Sequence, residues 1–506
     1  MEHQKRVCVI GAGLSGLPVI KCMNQAGLKV TCFEKEFNIA GRWHKNTEHA
    51  VPRSTITNLT RNLSCYSDFP VPDEFPLYFS ADTFCKYLEL YADNFGLRKY
   101  IKLGCNVVNL TPASKELCPG WRVTYRDAGK EELEEEEFDF VVLASGFYSK
   151  PYVPAIIEEK LASFKGRVIH SIDYTGWKEF ENETVVVCGL GNTGGDVASE
   201  VSDHGKQVYI STSNGALIVN RILNGGVIPT ELSRARFSQY LPAFLKRKLS
   251  SYMTKKMSNA IYNQEKLRLS SPNMASVIAN DEICIRVASG KIKVKPSIEK
   301  SDGNTIYFSN GTVAENVDTV VLCTGYQRHF PYFEAGIIPL EHNGKHIPLY
   351  KNIFTTKFRE SLAFVGMYSV FGSTTLTSEM QARYAAEVFK KNISLPSSEK
   401  MEESILAAKS ALHYALGGDL KEYNLHTNPW SYYDSLATEV GCRPSMLWVM
   451  LTDPVLAWHL VSTYSPFEYR LYGPHSWSGA RQAIMDQFKV MYAFMNGSRD
   501  VPNAIK

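Results

Sequence analysis

Short apolar runs that end in glycine-rich turns recur along the chain and predict its first elements. Arg6–Ile10 is a β-rich run of this kind, and the turn Gly11–Gly16 follows it directly. A helical pattern then continues to about Ala26, and a second β-rich run, Lys29–Phe33, closes on Glu34. Strand, turn, helix and strand in this order predict a βαβ unit with two parallel strands.

The same pattern occurs a second time further along the chain. Thr184–Cys188 is predicted as a strand, Gly189–Gly194 as a turn, Gly195–Ser202 as a helix and Gln207–Ser211 as another strand. The chain therefore carries two βαβ units of similar design.

Two further apolar runs resemble each other and relate the two units. Phe138–Phe147 and Val317–Tyr326 each read as a buried strand that ends near a glycine. Because the second copy follows the second βαβ unit, we predict that one nucleotide-binding domain is inserted into the other. The expected fold class is α/β, with two nested Rossmann-like domains: residues 1–155 and 331–506 form the first, and residues 156–330 form the second.

Two segments do not fit this scheme. Ala216–Ile292 lacks a clean period and is predicted to be a helical insertion. Within it, Phe244–Lys256 mixes basic and apolar residues, which could lie at the headgroup layer of a membrane; a solvated helix face is the alternative. The acidic run Glu131–Glu137 is predicted to be a solvated hairpin tip.

Composition narrows the class of protein. A chain of 506 residues is too long for one domain, and 44% hydrophobic with 21% charged residues is typical of a globular protein. The net charge of +3, from 55 basic and 52 acidic residues, is too balanced to predict nucleic acid as a partner.

Cysteine usage and hydropathy bear on the compartment. The 11 cysteines form no Cys-x-x-Cys pair, so neither a disulfide framework nor a thiolate metal site is predicted. The most apolar late stretch, Met446–Tyr464, contains Asp453, Pro454 and His459, and is not expected to span a membrane. With no signal peptide recognised, we expect a cytoplasmic protein.

The first glycine turn has the chemistry of a dinucleotide site. A turn of the form GxGxxG between a strand and a helix presents backbone N–H groups to a pyrophosphate, which here involves Gly11, Ala12, Gly13, Leu14, Ser15 and Gly16. Glu34, at the end of the second strand, can accept hydrogen bonds from both ribose hydroxyls, which suits FAD or NAD and disfavours a 2′-phosphate.

The second turn differs where it would meet the ribose. It offers Gly189, Gly191, Asn192, Thr193, Gly194, Gly195 and Asp196 to a dinucleotide. Its second strand ends in Ser211–Asn214 with no acidic residue, and Arg221 lies shortly beyond. Hydroxyls and a guanidinium without a carboxylate favour NADP(H) over NAD(H).

Two such sites in one chain imply that one cofactor is resident and that the other brings a hydride, so that electrons pass from nicotinamide to flavin. A disulfide reductase would need a cysteine pair, and metal ligands at usable spacing are not recognised in the sequence. Oxygen chemistry would then fall to the flavin itself, and no metal site is predicted.

The segment Phe164–Tyr174 matches the pattern F-x-G-x-x-x-H-x-x-x-Y. This pattern, Cys323–Tyr326 and the late block Tyr469–Arg481 are similar to those of the flavin-containing monooxygenases, and the resemblance runs nearly the whole chain. It implies that NADPH reduces FAD, that O₂ forms a hydroperoxide at flavin C4a, and that a soft nucleophilic nitrogen or sulfur takes up the terminal oxygen.

The resemblance also suggests site residues. Asn58, ten residues before Asp68-Phe69-Pro70, matches the active-site asparagine of the family and is the predicted catalytic residue. Arg42, Trp43, Leu59, Thr324 and Gly325 are expected at FAD together with Asn58, and Thr57 and Asn58 at NADP(H). His170, within the fingerprint, is read as part of an interdomain linker.

The sequence is also compatible with other functions. A Baeyer–Villiger monooxygenase uses a similar fingerprint that normally ends in Trp, whereas this chain has Tyr174. An uncoupled NADPH oxidase or an NADPH-binding sensor is a second alternative. Expected partners are a small nucleophilic substrate and O₂, with peripheral contact to the cytosolic face of the endoplasmic reticulum as an open possibility.

Overall fold

The fold is taken from a computed structural model of the full chain. It describes residues 4–114, 119–223, 262–270, 277–367, 372–415 and 429–495, together with the single residues Ile228, Arg236, Pro242, Leu245, Lys248 and Tyr252. About half of the predicted insertion, and most of Phe244–Lys256 within it, lies outside the described residues.

Strands and helices alternate through most of this length. The strands are β1 (Arg6–Ile10), β2 (Lys29–Glu34), β3 (Ile101–Leu103), β4 (Cys105–Pro112), β5 (Trp121–Asp127), β6 (Leu133–Phe138), β7 (Phe140–Leu143), β8 (Lys150–Pro151), β9 (Arg167–His170), β10 (Thr184–Cys188), β11 (Gln207–Ser211), β12 (Leu217–Val219), β13 (Val277–Ala279), β14 (Ile292–Lys295), β15 (Ile298–Asp302), β16 (Thr305–Phe308), β17 (Val313–Ala314), β18 (Thr319–Leu322), β19 (Tyr326–Gln327) and β20 (Leu362–Phe364). The helices are α1 (Gly16–Gln25), α2 (Ala81–Asn94), α3 (Ala155–Leu161), α4 (Asn192–Val201), α5 (Ile283–Ala288), α6 (Thr374–Phe389), α7 (Ser398–Ala415), α8 (Pro429–Val440), α9 (Met446–Thr452), α10 (Pro454–Ser462) and α11 (Ala480–Met495).

The first sheet is parallel and has β1 at its centre. Its strand order is β20-β7-β1-β2-β3, and Ile10 is in register with Phe33 on one side and Leu143 on the other. Apart from the half-buried Arg6, the residues of β1 and β7 are apolar and buried, as expected of parallel strands covered on both faces. The predicted first βαβ unit and its crossing strand thus lie side by side.

The second sheet repeats this arrangement. Its order is β14-β11-β10-β18-β9, with all pairs parallel. The chain leaves the first sheet after β7, builds the second sheet, and returns to the first with β20, where Leu362 is in register with Val141. The predicted α/β class with two nested Rossmann-like units is confirmed, whereas the domain boundaries stay a prediction.

The acidic run Glu131–Glu137 forms a hairpin tip only at Glu131 and Glu132, so the prediction is wrong for the rest of the run. Most of it forms β6, which pairs antiparallel with β5. Basic side chains on neighbouring strands offset its charge: Glu136 accepts from Arg6 and from Lys102 at 2.7 Å. On β5, the strand paired with β6, Arg122 forms ion pairs with Glu135 at 3.1 Å and Glu137 at 3.6 Å, so cross-strand pairs also stabilise the acidic strand.

Each described cysteine is a free thiol. No helix in the described part of the chain combines the length and hydropathy needed to cross a bilayer.

Candidate functional site

Glycines in the first turn occupy positions where a side chain would be strained or would collide with the backbone. Gly11 has φ of +101°, and its N–H donates to the carbonyl of Phe33 at 2.9 Å. A Cβ on Gly16 would lie 1.8 Å from the Gly11 carbonyl oxygen. The N-terminus of α1 therefore packs directly against the end of β1, as close binding of a pyrophosphate requires.

Glu34 lies beside this turn, where the sequence predicts the ribose. Its side chain is buried, and the two carboxylate oxygens accept the N–H groups of Ala12 at 2.7 Å and Glu36 at 3.0 Å. Burial raises the pKa of Glu34, and the two backbone donors counteract that rise. Each oxygen retains a lone pair with which it can accept a ribose hydroxyl, so the geometry fits the predicted role.

Residues outside the turn contact its middle residues, Gly13, Leu14 and Ser15. The hydroxyl of Tyr66 donates to the carbonyl of Leu14 at 2.6 Å, and the hydroxyl of Ser15 lies 2.9 Å from that of Ser378 on α6. Gly13 faces Gly41, since a Cβ on Gly13 would be 3.6 Å from the Gly41 Cα. The turn is thus supported by three separate parts of the first unit.

Arg42 and Trp43 follow that contact in a short 3₁₀ helix, Gly41–Trp43. Arg42 donates to the carbonyls of His49 at 2.7 Å and Tyr148 at 3.3 Å. The Trp43 ring packs edge-on against Phe84 at 4.6 Å between centroids. Arg42 therefore contacts the segment after β7, and Trp43 packs on α2; their contact with FAD stays a prediction.

Asn58, the predicted catalytic residue, is exposed and is held by a residue from the second unit. The Nη2 group of Arg221 donates to Asn58 Oδ1 at 3.1 Å. Thr57 is buried beside it, with its hydroxyl donating to the Leu59 carbonyl and accepting from the Phe79 N–H, both at 3.0 Å. Because Arg221 takes the amide oxygen, the donors that Asn58 offers to a ligand are its two Nδ2 hydrogens.

The sequence predicts Arg221 at NADP(H), but its surroundings are not those of a side chain that binds a 2′-phosphate. Its guanidinium is 9% exposed and also donates to Thr57 O at 3.0 Å and Ile56 O at 3.1 Å. Asp281 accepts both its backbone N–H and its Nη1 group at 2.7 Å. Asp281 and the two carbonyls accept hydrogen bonds from the guanidinium, and the contacts with Asn58 and its neighbours let Arg221 link the two units.

The second glycine turn repeats the first. Gly189 has φ of +111°, and a Cβ on Gly194 would lie 2.1 Å from its carbonyl oxygen. Nothing lies within 4 Å of a Cβ built on Gly191, which leaves open space of the kind that a pyrophosphate would fill. The N-terminus of α4, beginning with Asn192 and Thr193, is exposed toward solvent.

Polar contacts behind α4 fix its first turn. Asn192 Oδ1 accepts the Ala279 N–H at 3.1 Å, and a Cβ on Gly195 would meet Ile278 at 3.3 Å. Asp196 Oδ1 accepts from the Asn280 amide at 3.0 Å. Burial raises the pKa of Asp196 to about 6, against the effect of Arg221 and Asn280.

A basic cavity, whose two cations the sequence did not predict, lies at the end of β11. Its volume is about 250 Å³, and it is lined by Thr212, Ser213, Asn214, Arg268 and Lys295, among others, with no acidic residue among the lining. Burial and the charges of Lys293 and Arg268 lower the pKa of Lys295. Two crowded cations without an acidic neighbour form a place for an anion.

Strand pairing brings Lys295 to this cavity. Ser211 and Lys295 are in register at the ends of β11 and β14, and the Thr212 N–H donates to the Lys295 carbonyl at 3.0 Å. The sequence signal was a short strand, Ile292–Lys295, that ends in a basic residue, but its partner strand lies more than eighty residues earlier.

Thr324, Gly325 and His170 meet where the chain passes between the two units. The Gly325 carbonyl accepts the Tyr152 N–H at 3.0 Å and lies 3.1 Å from His170 Nε2, and Thr324 donates to the Tyr152 carbonyl at 2.5 Å. His170 Nδ1 accepts the Ile172 N–H at 3.1 Å, and burial lowers its pKa. A neutral histidine with both ring nitrogens engaged suits the linker role expected for it; contact of Thr324 and Gly325 with FAD stays a prediction.

Comparison with known proteins adds family evidence to this geometry. A family model described as flavin-binding monooxygenase-like matches residues 4–506. The chain is 35% identical over 494 residues to dimethylaniline monooxygenase (N-oxide-forming) 2 of Cavia porcellus and to flavin-containing monooxygenase 2 of Homo sapiens. In both cases the match covers 96% of this chain and 91% of the relative.

Solved structures share the fold at lower identity. The structure of S-allyl-L-cysteine S-oxygenase from Allium sativum aligns with a TM-score of 0.65 and 21% identity, covering 96% of this chain and 99% of its own. An open crystal structure of cyclohexanone monooxygenase aligns with a TM-score of 0.61 and 15% identity, covering 86% and 97%. Both structures share the overall fold of this chain.

Proposed function

This chain belongs to the flavin-binding monooxygenase-like family, and from that membership we propose that it transfers one oxygen atom from O₂ to the nitrogen or sulfur of small nucleophilic substrates. It is a flavin monooxygenase with FAD and NADP(H) as cofactors. When bound, FAD accepts a hydride from NADPH and activates O₂.

The observation that carries the proposal is the position of Asn58 between the two nucleotide-binding units. It lies on a loop of the first unit, and Arg221 of the second unit holds its amide oxygen. Because Asn58 lies where the two units meet, its side chain could contact and orient FAD and NADP(H) together. The chain's own task is then to present the Asn58 amide donors and to exclude water.

The other roles follow from the two turns. The backbone donors of Gly11–Gly16 and the Glu34 carboxylate would hold the pyrophosphate and ribose of FAD, and the Gly189–Gly194 turn would hold those of NADP(H). We also propose that residues 1–155 and 331–506 form the FAD-binding domain and that residues 156–330 form the NADP-binding domain.

Product analysis tests this function directly. The FAD-loaded enzyme is supplied with NADPH, O₂ and, in separate reactions, a dialkyl sulfide, a tertiary amine and a cyclic ketone. We expect sulfoxide or N-oxide, with less H₂O₂ released per NADPH consumed than without substrate. Ester from the ketone alone would favour the Baeyer–Villiger alternative, and H₂O₂ equal to NADPH under all conditions would favour an uncoupled oxidase.

We propose that Lys295 and Arg268, rather than Arg221, bind the 2′-phosphate of NADP(H). Replacing Lys295 by Ala is expected to raise KM for NADPH by about tenfold to a hundredfold, because one charge-assisted contact is lost. KM for NADH is expected to stay unchanged, since NADH has no phosphate there. Steady-state kinetics with both nucleotides measure this.

Lys293→Ala is the matched control for that prediction. Lys293 lies on the same strand and is exposed, but it is not among the residues that line the cavity. An equal rise in KM for NADPH in the Lys293 and Lys295 variants would contradict a local phosphate contact and indicate a general effect of charge.

We further propose that the protein contacts a membrane peripherally, at the cytosolic face of the endoplasmic reticulum, through the helix pair α9 and α10. This pair exposes six large apolar side chains, each at least 54% exposed: Leu447, Trp448, Met450, Leu451, Val455 and Trp458. Asp453 between the helices caps α10 and pairs with Arg481 at 2.6 Å. An apolar surface of this size with tryptophans is typical of interfacial helices.

Vesicle co-sedimentation tests the membrane contact. Replacing Trp448 and Trp458 together by Ser is expected to reduce binding of the full chain to anionic phospholipid vesicles by about tenfold. Ile156→Ser is the control, because Ile156 is also 54% exposed but lies on α3. Unchanged binding in the double variant would refute this surface as the contact.

A further inference from the structure

Three metal-ligating side chains of different types meet beside the first glycine turn. They are His44, Cys85 and Glu89, and their ligand atoms all lie within 4.8 Å of one another. We propose that they form a binding site for a Zn²⁺ ion.

The backbone brings the three side chains together. Cys85 and Glu89 are four residues apart on α2, so they lie on one face of that helix. His44 ends the short 3₁₀ helix Gly41–Trp43, and the edge-on packing of Trp43 against Phe84 holds this segment on α2. The convergence therefore rests on packed elements.

The donor set suits zinc. Imidazole nitrogen, thiolate sulfur and carboxylate oxygen are its three common protein ligands, and three of them leave one tetrahedral position for water. Cys85 is buried, and His44 and Glu89 are half-buried, so an ion could enter from solvent.

Other interactions do not explain why these groups converge. Among the residues that the structure describes, neither the Cys85 thiol nor the Glu89 carboxylate has a hydrogen-bond or ion-pair partner. His44 Nδ1 accepts one long contact of 3.3 Å from the Asn46 N–H. Binding of Zn²⁺ would displace the thiol proton of Cys85, which passes to solvent.

A metal at this position would act on the flavin site. The segment before His44 packs under the first glycine turn, where the Ala40 N–H donates to the Ala12 carbonyl at 3.0 Å and Gly41 faces Gly13. An ion bound by His44 and by α2 would fix this segment in place. We therefore expect Zn²⁺ to slow the loss of FAD from the enzyme.

Calorimetric titration of the FAD-loaded, tag-free enzyme with Zn²⁺ tests the site. We expect one ion per chain, and affinity lowered by more than about tenfold in His44→Gln, Cys85→Ser and Glu89→Gln. Zinc X-ray absorption of the wild type should show one sulfur at about 2.3 Å with nitrogen or oxygen ligands. Zinc should also slow FAD release in the wild type but not in the variants.

Cys284→Ser is the matched control, because Cys284 is likewise a buried cysteine on a helix. It should bind Zn²⁺ as the wild type does. If Cys85→Ser fails to fold, the two half-buried positions decide, with flavin content as the check on folding. Wild-type affinity in both His44→Gln and Glu89→Gln, or an equal loss in Cys284→Ser, would overturn the proposal.

Discussion

Replacing Asn58 by Ala is expected to lower the formation of oxygenated product by about a hundredfold or more, while FAD stays bound and NADPH is still consumed. The reason is that the amide donors at this position would be lost without disturbing either glycine turn, and a preorganised donor is worth about this much in rate. The measurement is the ratio of sulfoxide formed and of H₂O₂ released to NADPH oxidised.

Asn58→Asp sharpens the experiment. A carboxylate of the same shape keeps the contact with Arg221 but has no hydrogen to donate, so it should fail in the same way as Ala. Arg221→Lys keeps the charge but loses the planar guanidinium. We therefore expect a loss of product formation that is smaller than in the two Asn58 variants.

Asn62→Ala serves as the control, since Asn62 lies four residues further along the same segment. It should retain the product yield of the wild type. Full coupling in both Asn58 variants would remove Asn58 from the site.

Replacing Glu379 by Gln is expected to destabilise the first unit by about 3 to 5 kcal/mol, the usual cost of breaking a buried ion pair from one side. Glu379 is fully buried on α6. It pairs with Arg470 and accepts from the Ser67 N–H at 2.7 Å and the Ser67 hydroxyl at 2.6 Å. Gln would leave the guanidinium with less compensating charge.

The same cluster supports the flavin site. Arg470 also pairs with Asp68 at 2.8 Å, Lys21 of α1 pairs with Asp68 as well, and Tyr66 in this segment donates to Leu14 of the first glycine turn. Loss of Glu379 should therefore lower the flavin content together with stability. Urea unfolding followed by flavin fluorescence and by circular dichroism measures both.

The pH dependence has a defined sign. Burial raises the pKa of Glu379, but Arg470 and Lys21 outweigh it and bring the pKa down to about 2. Its stabilising effect is present above the pKa of the unfolded chain and is lost as pH falls toward about 2. The difference between the wild type and Glu379→Gln should shrink over that range.

Glu387→Gln on the same helix is the control, because within the described part of the chain its side chain accepts a hydrogen bond only from the Asn392 amide. It should cost about 1 kcal/mol or less. A similar loss of stability in both variants would contradict a special role of the ion cluster.

Local features of the chain could be predicted because their physics is local. Gly11 and Gly189 have positive φ, and a Cβ on Gly16 would collide with the nearby Gly11 carbonyl. Short segments of sequence are therefore enough to predict the two turns and the α/β class. Glu34 could be predicted for the same reason, since the turn and the strand end that position it belong to one βαβ unit. The acidic run that forms β6 could not be predicted, because basic partners on other strands decide its conformation.

The sequence alone determined the two cofactor turns, their order and the family, since these depend on glycine sterics and on motifs that occupy short stretches. Only the tertiary structure decided which side chains distant in the sequence come together. It placed Arg221 on Asn58 rather than at the end of β11, gave that place to Lys295 and Arg268, and brought His44 to Cys85 and Glu89. Such meetings depend on strand register and helix packing across many residues, which spacing along the chain does not reveal.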